Sequence, residues 1–69
     1  MMSRLYSSKH IIRVLIDNGF IQVGQKGSHK KFRKGEKIVI VPDPRKEVPM
    51  GTFYSIIRQS GLKKEDFKK

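Results

Sequence analysis

The sequence predicts an α+β fold of order α-β-β-β-α, in which a three-stranded antiparallel sheet carries two helices on one face. Three observations lead there. Apolar residues recur at helical spacing near both ends of the chain. Three short stretches between them are strand-like, and glycine, asparagine and proline mark the boundaries.

Taken in order, Ser7 and Ser8 are both placed to cap a helix over residues 8–18, because a serine oxygen accepts from the free N–H groups of a first turn. Ile11, Ile12, Leu15 and Ile16 form its apolar stripe, with Lys9, Arg13 and Asp17 opposite, and Asn18-Gly19 ends it. Phe20-Ile21-Gln22-Val23 suits a strand, which the stretch from Gly24 to Gly27 is expected to break. Ser28 to Lys34 reads as a second strand, turned at Lys34-Gly35-Glu36 into a third, Lys37-Ile38-Val39-Ile40-Val41. Pro42 and Pro44 end that strand, since neither ring nitrogen donates to a ladder, and residues 42–48 form a loop. Pro49 opens a second helix with Phe53, Ile56, Ile57 and Ser60 inward; Gly61 stops it, and Leu62 packs behind the cap. The tail carries a further helical turn with Phe67 folded back. With neither repeats nor a long linker, residues 1–69 are expected to form one domain.

Charge bounds the function. Sixteen Lys and Arg against six Asp and Glu give a net charge of +10, which points to a polyanionic partner, nucleic acid first among them. No stretch approaches the roughly 20 apolar residues of a membrane helix. The N-terminal M-M-S-R-L-Y-S-S-K-H has no apolar signal core, so a cytoplasmic protein is expected. The absence of cysteine excludes disulfides and thiolate zinc sites, and the two histidines and scattered carboxylates show no metal-ligand spacing; no cofactor is expected. A chain of 69 residues buries only roughly 60% of its unfolded surface, so a deep, fully walled substrate cavity is not expected.

Period-two alternation orients the second strand. Phe32, its only large apolar residue, should face the helices, with Lys30 and Lys34 on its side, leaving His29, Lys31 and Arg33 on the open face. The third strand is apolar on both faces, so two of Ile38, Val39, Ile40 and Val41 should lie on that open side. Either a protein partner covers them, or Tyr6, the tail or the 42–48 loop does. His29 is the one attractive catalytic group: an imidazole, with an ordinary pKa of about 6.5, can take a proton from a ribose 2′-OH. Lys26, Lys30, Lys31 and Arg33 are cations suited to a phosphate, and Gly27 and Ser28 leave room for a backbone to approach. Local sequence favours the plainer alternative, a solvated strand histidine in a non-catalytic basic RNA-binding module. His10, on the polar side of the first helix, is expected at the solvated surface. Asp43 either pairs with a catalytic group or starts a turn.

The motif G-S-H-K-K-F, followed by a strand, V-P and then E-V-P-M-G-T-F-Y-S-I-I-R-Q-S-G-L, resembles the HicA toxin family of type II toxin–antitoxin systems, over nearly the whole chain from Ser7 to Phe67. The resemblance implies a fold like a double-stranded RNA-binding domain. It implies a small mRNA interferase, an endoribonuclease acting on mRNA with His29 as its catalytic residue. It further implies inhibition by a cognate HicB-like antitoxin that covers the active site. Gly27 and Ser28 carry over as motif residues. The chain departs from the pattern at Asp43, where many relatives carry histidine or asparagine after V-P.

Overall fold

The computed structural model describes residues 5–68; residues 1–4 and 69 of the expected domain lie outside the described residues. Helix α1 (Ser8–Asp17) begins at Ser7, whose hydroxyl accepts from the His10 N–H at 3.1 Å. It ends on N-G-F in a paired cap: the Gly19 N–H donates to Ile16 O and the Phe20 N–H to Leu15 O, both at 3.0 Å. Gly19 takes φ +95°, which a side chain would resist, and so lets both orphan carbonyls be satisfied. Phe20 is therefore the buried residue after a helix cap and not the first residue of a strand, a correction to the expectation from sequence.

A second correction concerns β1 (Ile21–Lys26), which does not break at Gly24. It continues through a bulge between Gln22 and Gly24 and pairs antiparallel with β2 (His29–Lys34) as far as Lys26 opposite His29. The turn is only Gly27-Ser28, and Gly27 at φ +58° supplies the left-handed residue a two-residue hairpin needs. Gly35-Glu36 makes the second turn into β3 (Lys37–Pro42), giving sheet order β1-β2-β3. Helix α2 (Met50–Ser60) starts after Pro49 and ends at Gly61. A 3₁₀ turn (Lys64–Phe67) follows, as expected of the tail. The α1-β1-β2-β3-α2 order and the open antiparallel sheet are those the sequence predicts, and are consistent with the double-stranded RNA-binding-domain type.

The core lies between the sheet and the helices. Phe32 and its cross-strand partner Val39 are fully buried, with Val41, Ile11, Leu15, Ile56 and Phe67. Phe53 meets Phe67 edge-on at 5.1 Å and Tyr6 at 5.2 Å between ring centroids, so the N-terminal segment and the tail pack together on the helix side. Two lysines finish the helices: Lys34 Nζ donates to Asn18 O at 2.8 Å, and the Lys37 ammonium lies against Gly61. Both set a cation on a helix C-terminus, a contribution of about 0.3–1 kcal/mol each. No helix among the described residues is long and apolar enough to cross a membrane.

Candidate nucleic-acid interface

Ladder register fixes the open face. Phe32 points into the core, so its neighbours in β2 point out, and their partners follow: Ile21–Arg33–Ile38 forms one row, Gly24–Lys31–Ile40 the next, and Lys26–His29–Pro42 the last. Ile38 and Ile40 remain 36% and 37% exposed, as period-two alternation requires. Among the described residues neither Tyr6 nor the tail covers this strip, because Tyr6 and Phe67 pack on the other side; of the 42–48 loop, Arg45 borders Ile40.

A broad open cavity of 780 Å³ lies at the hairpin end, lined among others by Gly24, Lys26, Gly27, Ser28, His29 and Lys31, with Ile40 as an apolar wall. Gly24 has no positive φ, and a Cβ placed there would meet nothing within 4 Å. Neither the backbone nor packing demands a glycine at that position; what glycine does is leave the cavity open. His29 is exposed, and among the described residues its ring has no hydrogen-bond or ion-pair partner; the same is true of Lys26 and Lys31. Arg33, one row further along, donates from Nε to Gly35 O at 2.9 Å.

Lys30 is not brought to this cavity. It lies on the helix side, where its ammonium contacts Asp43 Oδ2 at 2.7 Å. Asp43 also accepts from the buried Ser8 hydroxyl at 2.6 Å, and that oxygen accepts from the Arg45 N–H at 2.9 Å. The Lys30 hydrogen bond, then that of Ser8, hold the Asp43 carboxyl below the ordinary aspartate value of 3.8, against a smaller opposing effect of burial. Asp43 thus ties the β3–α2 loop to the start of α1 and does not pair with His29.

His10 is likewise no solvated surface group, which corrects the expectation from helix periodicity. Its Nε2 lies 2.6 Å from the Phe67 carbonyl, and its ring stacks on Tyr6 at 5.0 Å. A carbonyl only accepts, so Nε2 carries the proton.

A second, smaller cavity of 290 Å³ adjoins the first, sharing His29 and Ile40 with it. Its far wall is Arg45 from the loop with Thr52, Ser55 and Gln59 from one side of α2. Sequence reasoning missed these four. Thr52, Ser55 and Gln59 are spaced to share a helix side, yet nothing local says that this side meets the histidine.

The family model for the HicA toxin of bacterial toxin–antitoxin matches residues 8–62. The chain belongs to the HicA toxin family. In agreement with the motif G-S-H-K-K-F, the matched segment of this HicA toxin spans α1 to the end of the α2 cap, and it contains every residue lining both cavities. A search of curated proteins returns no match.

Proposed function

We propose that this HicA toxin is a metal-independent endoribonuclease that cleaves mRNA, with His29 as general base. The observation that carries the reading is an exposed imidazole with no protein partner among the described residues, set between two equally unpaired cations, Lys26 and Lys31, over an open cavity. His29 removes the proton of a ribose 2′-OH, the 2′-oxygen attacks the adjacent phosphorus, and the bond to the 5′-oxygen breaks. Products are a 2′,3′-cyclic phosphate and a 5′-hydroxyl, the leaving oxygen regaining a proton from the water that reaches this open face. Lys26 and Lys31 offset the charge that builds on the phosphorane, and Arg33 extends the cationic track. Gly27 and Ser28 admit the sugar–phosphate backbone at the hairpin. Lys30, turned to the other face, has no part in it.

Exposed Ile21, Ile38 and Ile40 beside these cations favour a cognate antitoxin with an apolar patch rimmed by acidic residues, which would silence the toxin by covering the face. A small acidic protein encoded next to this gene should then co-purify with it.

The purified chain, incubated with a long mRNA in EDTA, should release fragments with 2′,3′-cyclic ends. His29→Ala should bind the RNA without cutting it, and 2′-deoxy substrate should bind without turnover. Equal cutting by His29→Ala would remove the histidine from the mechanism. An intact mRNA with the wild type would leave only a basic RNA-binding module.

A further inference from the structure

The wall of the smaller cavity holds hydrogen-bonding groups that the cleavage reaction does not use. Gln59 is one. The Ile40 N–H, pointing away from β2 at the sheet edge, donates to Gln59 Oε1 at 3.2 Å. A backbone N–H accepts nothing, so this contact fixes the amide orientation and turns the Nε2 amino group away from the strand. Nε2 has no partner among the described residues. Ser55 is the second: its Oγ accepts from Arg58 Nη2 at 3.3 Å, which leaves the hydroxyl proton to donate. Arg45 is the third. Its backbone is held on both sides by Ser8, the Ser8 N–H donating to Arg45 O and the Arg45 N–H to Ser8 Oγ, each at 2.9 Å. Its guanidinium has no acidic partner among the described residues. The cavity therefore presents donors on a preorganised frame, with Ile40 and Pro42 as apolar surfaces for a ring. At 290 Å³ it is near the lower end of small-ligand sites, about 300–1,000 Å³, a size for one nucleotide and not for a protein segment.

We infer that this cavity is a nucleobase-reading subsite beside the scissile phosphate, and that Gln59, with Ser55 as a second hydrogen-bond partner, selects bases presenting the guanine O6 or uracil O4 keto oxygen over those presenting the adenine N6 or cytosine N4 amino group at the same edge. The inference rests on the RNA-binding part of the proposed function. Single-stranded RNA crosses the open face with its backbone on Lys26 and Lys31. The base next to His29 turns into the cavity, where Nε2 of Gln59 and the Ser55 hydroxyl meet a carbonyl oxygen. An exocyclic amino group there would face the Gln59 amino group donor to donor and leave the latter unpaired, while the Ser55 hydroxyl can turn to meet either group.

The test is a binding selection from a random single-stranded RNA pool on the His29→Ala chain, which does not depend on cutting. One position should be enriched in G and U over A and C by about threefold to tenfold, the range of one net hydrogen bond. Gln59→Glu keeps the acceptor that Ile40 needs and replaces the outward amino group by an oxygen, so it should invert the preference toward A and C. Ser55→Ala should weaken binding at that position while leaving the direction of the preference to Gln59. A pool with no base bias, a bias that Gln59→Glu leaves as it was, or a uniform loss across all sequences would each overturn the subsite. The last two would mean that the cavity meets phosphate alone or no RNA. Failure of the wild type to cut RNA it binds would instead strike the nuclease reading and leave the base selection standing.

Discussion

The two histidines of this toxin receive opposite treatment from the fold. His10, on α1, is held between the Tyr6 ring and the Phe67 carbonyl, and it closes the C-terminal turn onto the first helix. His29, on β2, sits on the bare side of the sheet with no partner among the described residues. The contrast extends to the cations around them. Lys30 and Lys34 are engaged by Asp43 and Asn18, whereas Lys26 and Lys31 have no hydrogen-bond or ion-pair partner among the described residues. Polar groups that stabilise a fold are satisfied by it. Groups left unsatisfied but gathered around one cavity are free to meet a ligand, so the partners of each residue say more about its role than its type does.

The strongest way to break this comparison is to exchange the consequences of the two histidines. His29→Ala should lower the rate of mRNA cleavage by about 10²- to 10⁴-fold, the usual contribution of a general base. As an exposed strand residue it should shift unfolding by no more than about 0.5 kcal/mol. His10→Ala should do the reverse. Losing the bond to Phe67 and the Tyr6 stack should destabilise the protein by about 1–2 kcal/mol, seen as an earlier denaturation midpoint in urea. Cleavage per folded molecule should stay at the wild-type level. A stable but inactive His10→Ala would mean that the first helix enters the chemistry.

Asp43 sharpens the comparison through pH. Its folded-state pKa lies below its unfolded value, so the ionised form stabilises the fold. That contribution is fully present above the ordinary value of 3.8 and is lost as pH falls through the lower folded value. Asp43→Asn should cost about 1–3 kcal/mol near neutral pH, the scale of hydrogen bonds to a charged group, and the gap to wild type should close at the acid end. Urea midpoints collected from neutral pH down to about pH 2 would read it. A gap that stays constant with pH would mean that Lys30 and Ser8 do not depend on the carboxylate charge.

Much of the fold and of the candidate site is legible in the amino-acid sequence alone. The alternation around Phe32, with Ile38 and Ile40 on the far side of β3, follows from the two-residue period, and it puts His29 and Lys31 on one face. The cap at N-G-F is legible too, except that its last residue reads as strand, because Phe20 is as good a strand former as a cap residue. What stays hidden depends on pairing across distance. Gly24, Gln25 and Lys26 have little strand propensity of their own and are extended because β2 pairs with them. The partner of His10 is a carbonyl 57 positions away, which periodicity does not reveal. The second wall of the site comes from a loop and a helix that only the packed fold brings beside His29.

Lys30 and Lys31 allow the finest version of the same comparison, since they are adjacent, carry the same charge and face opposite ways. Binding of single-stranded RNA, measured with the His29→Ala chain so that nothing is cut, should weaken with salt by counterion release, at about 0.7 in the logarithmic slope for each phosphate neutralised. Lys31→Ala should reduce that slope by about 0.7 and weaken all sequences alike, while leaving stability unchanged. Lys30→Ala should leave the slope in place and lower stability, because it strands Asp43 beside Ser8 without its cation. Equal slopes for the two variants would show that RNA senses only the net charge of the domain. Unequal slopes would show that it lies along one face, the face that carries His29.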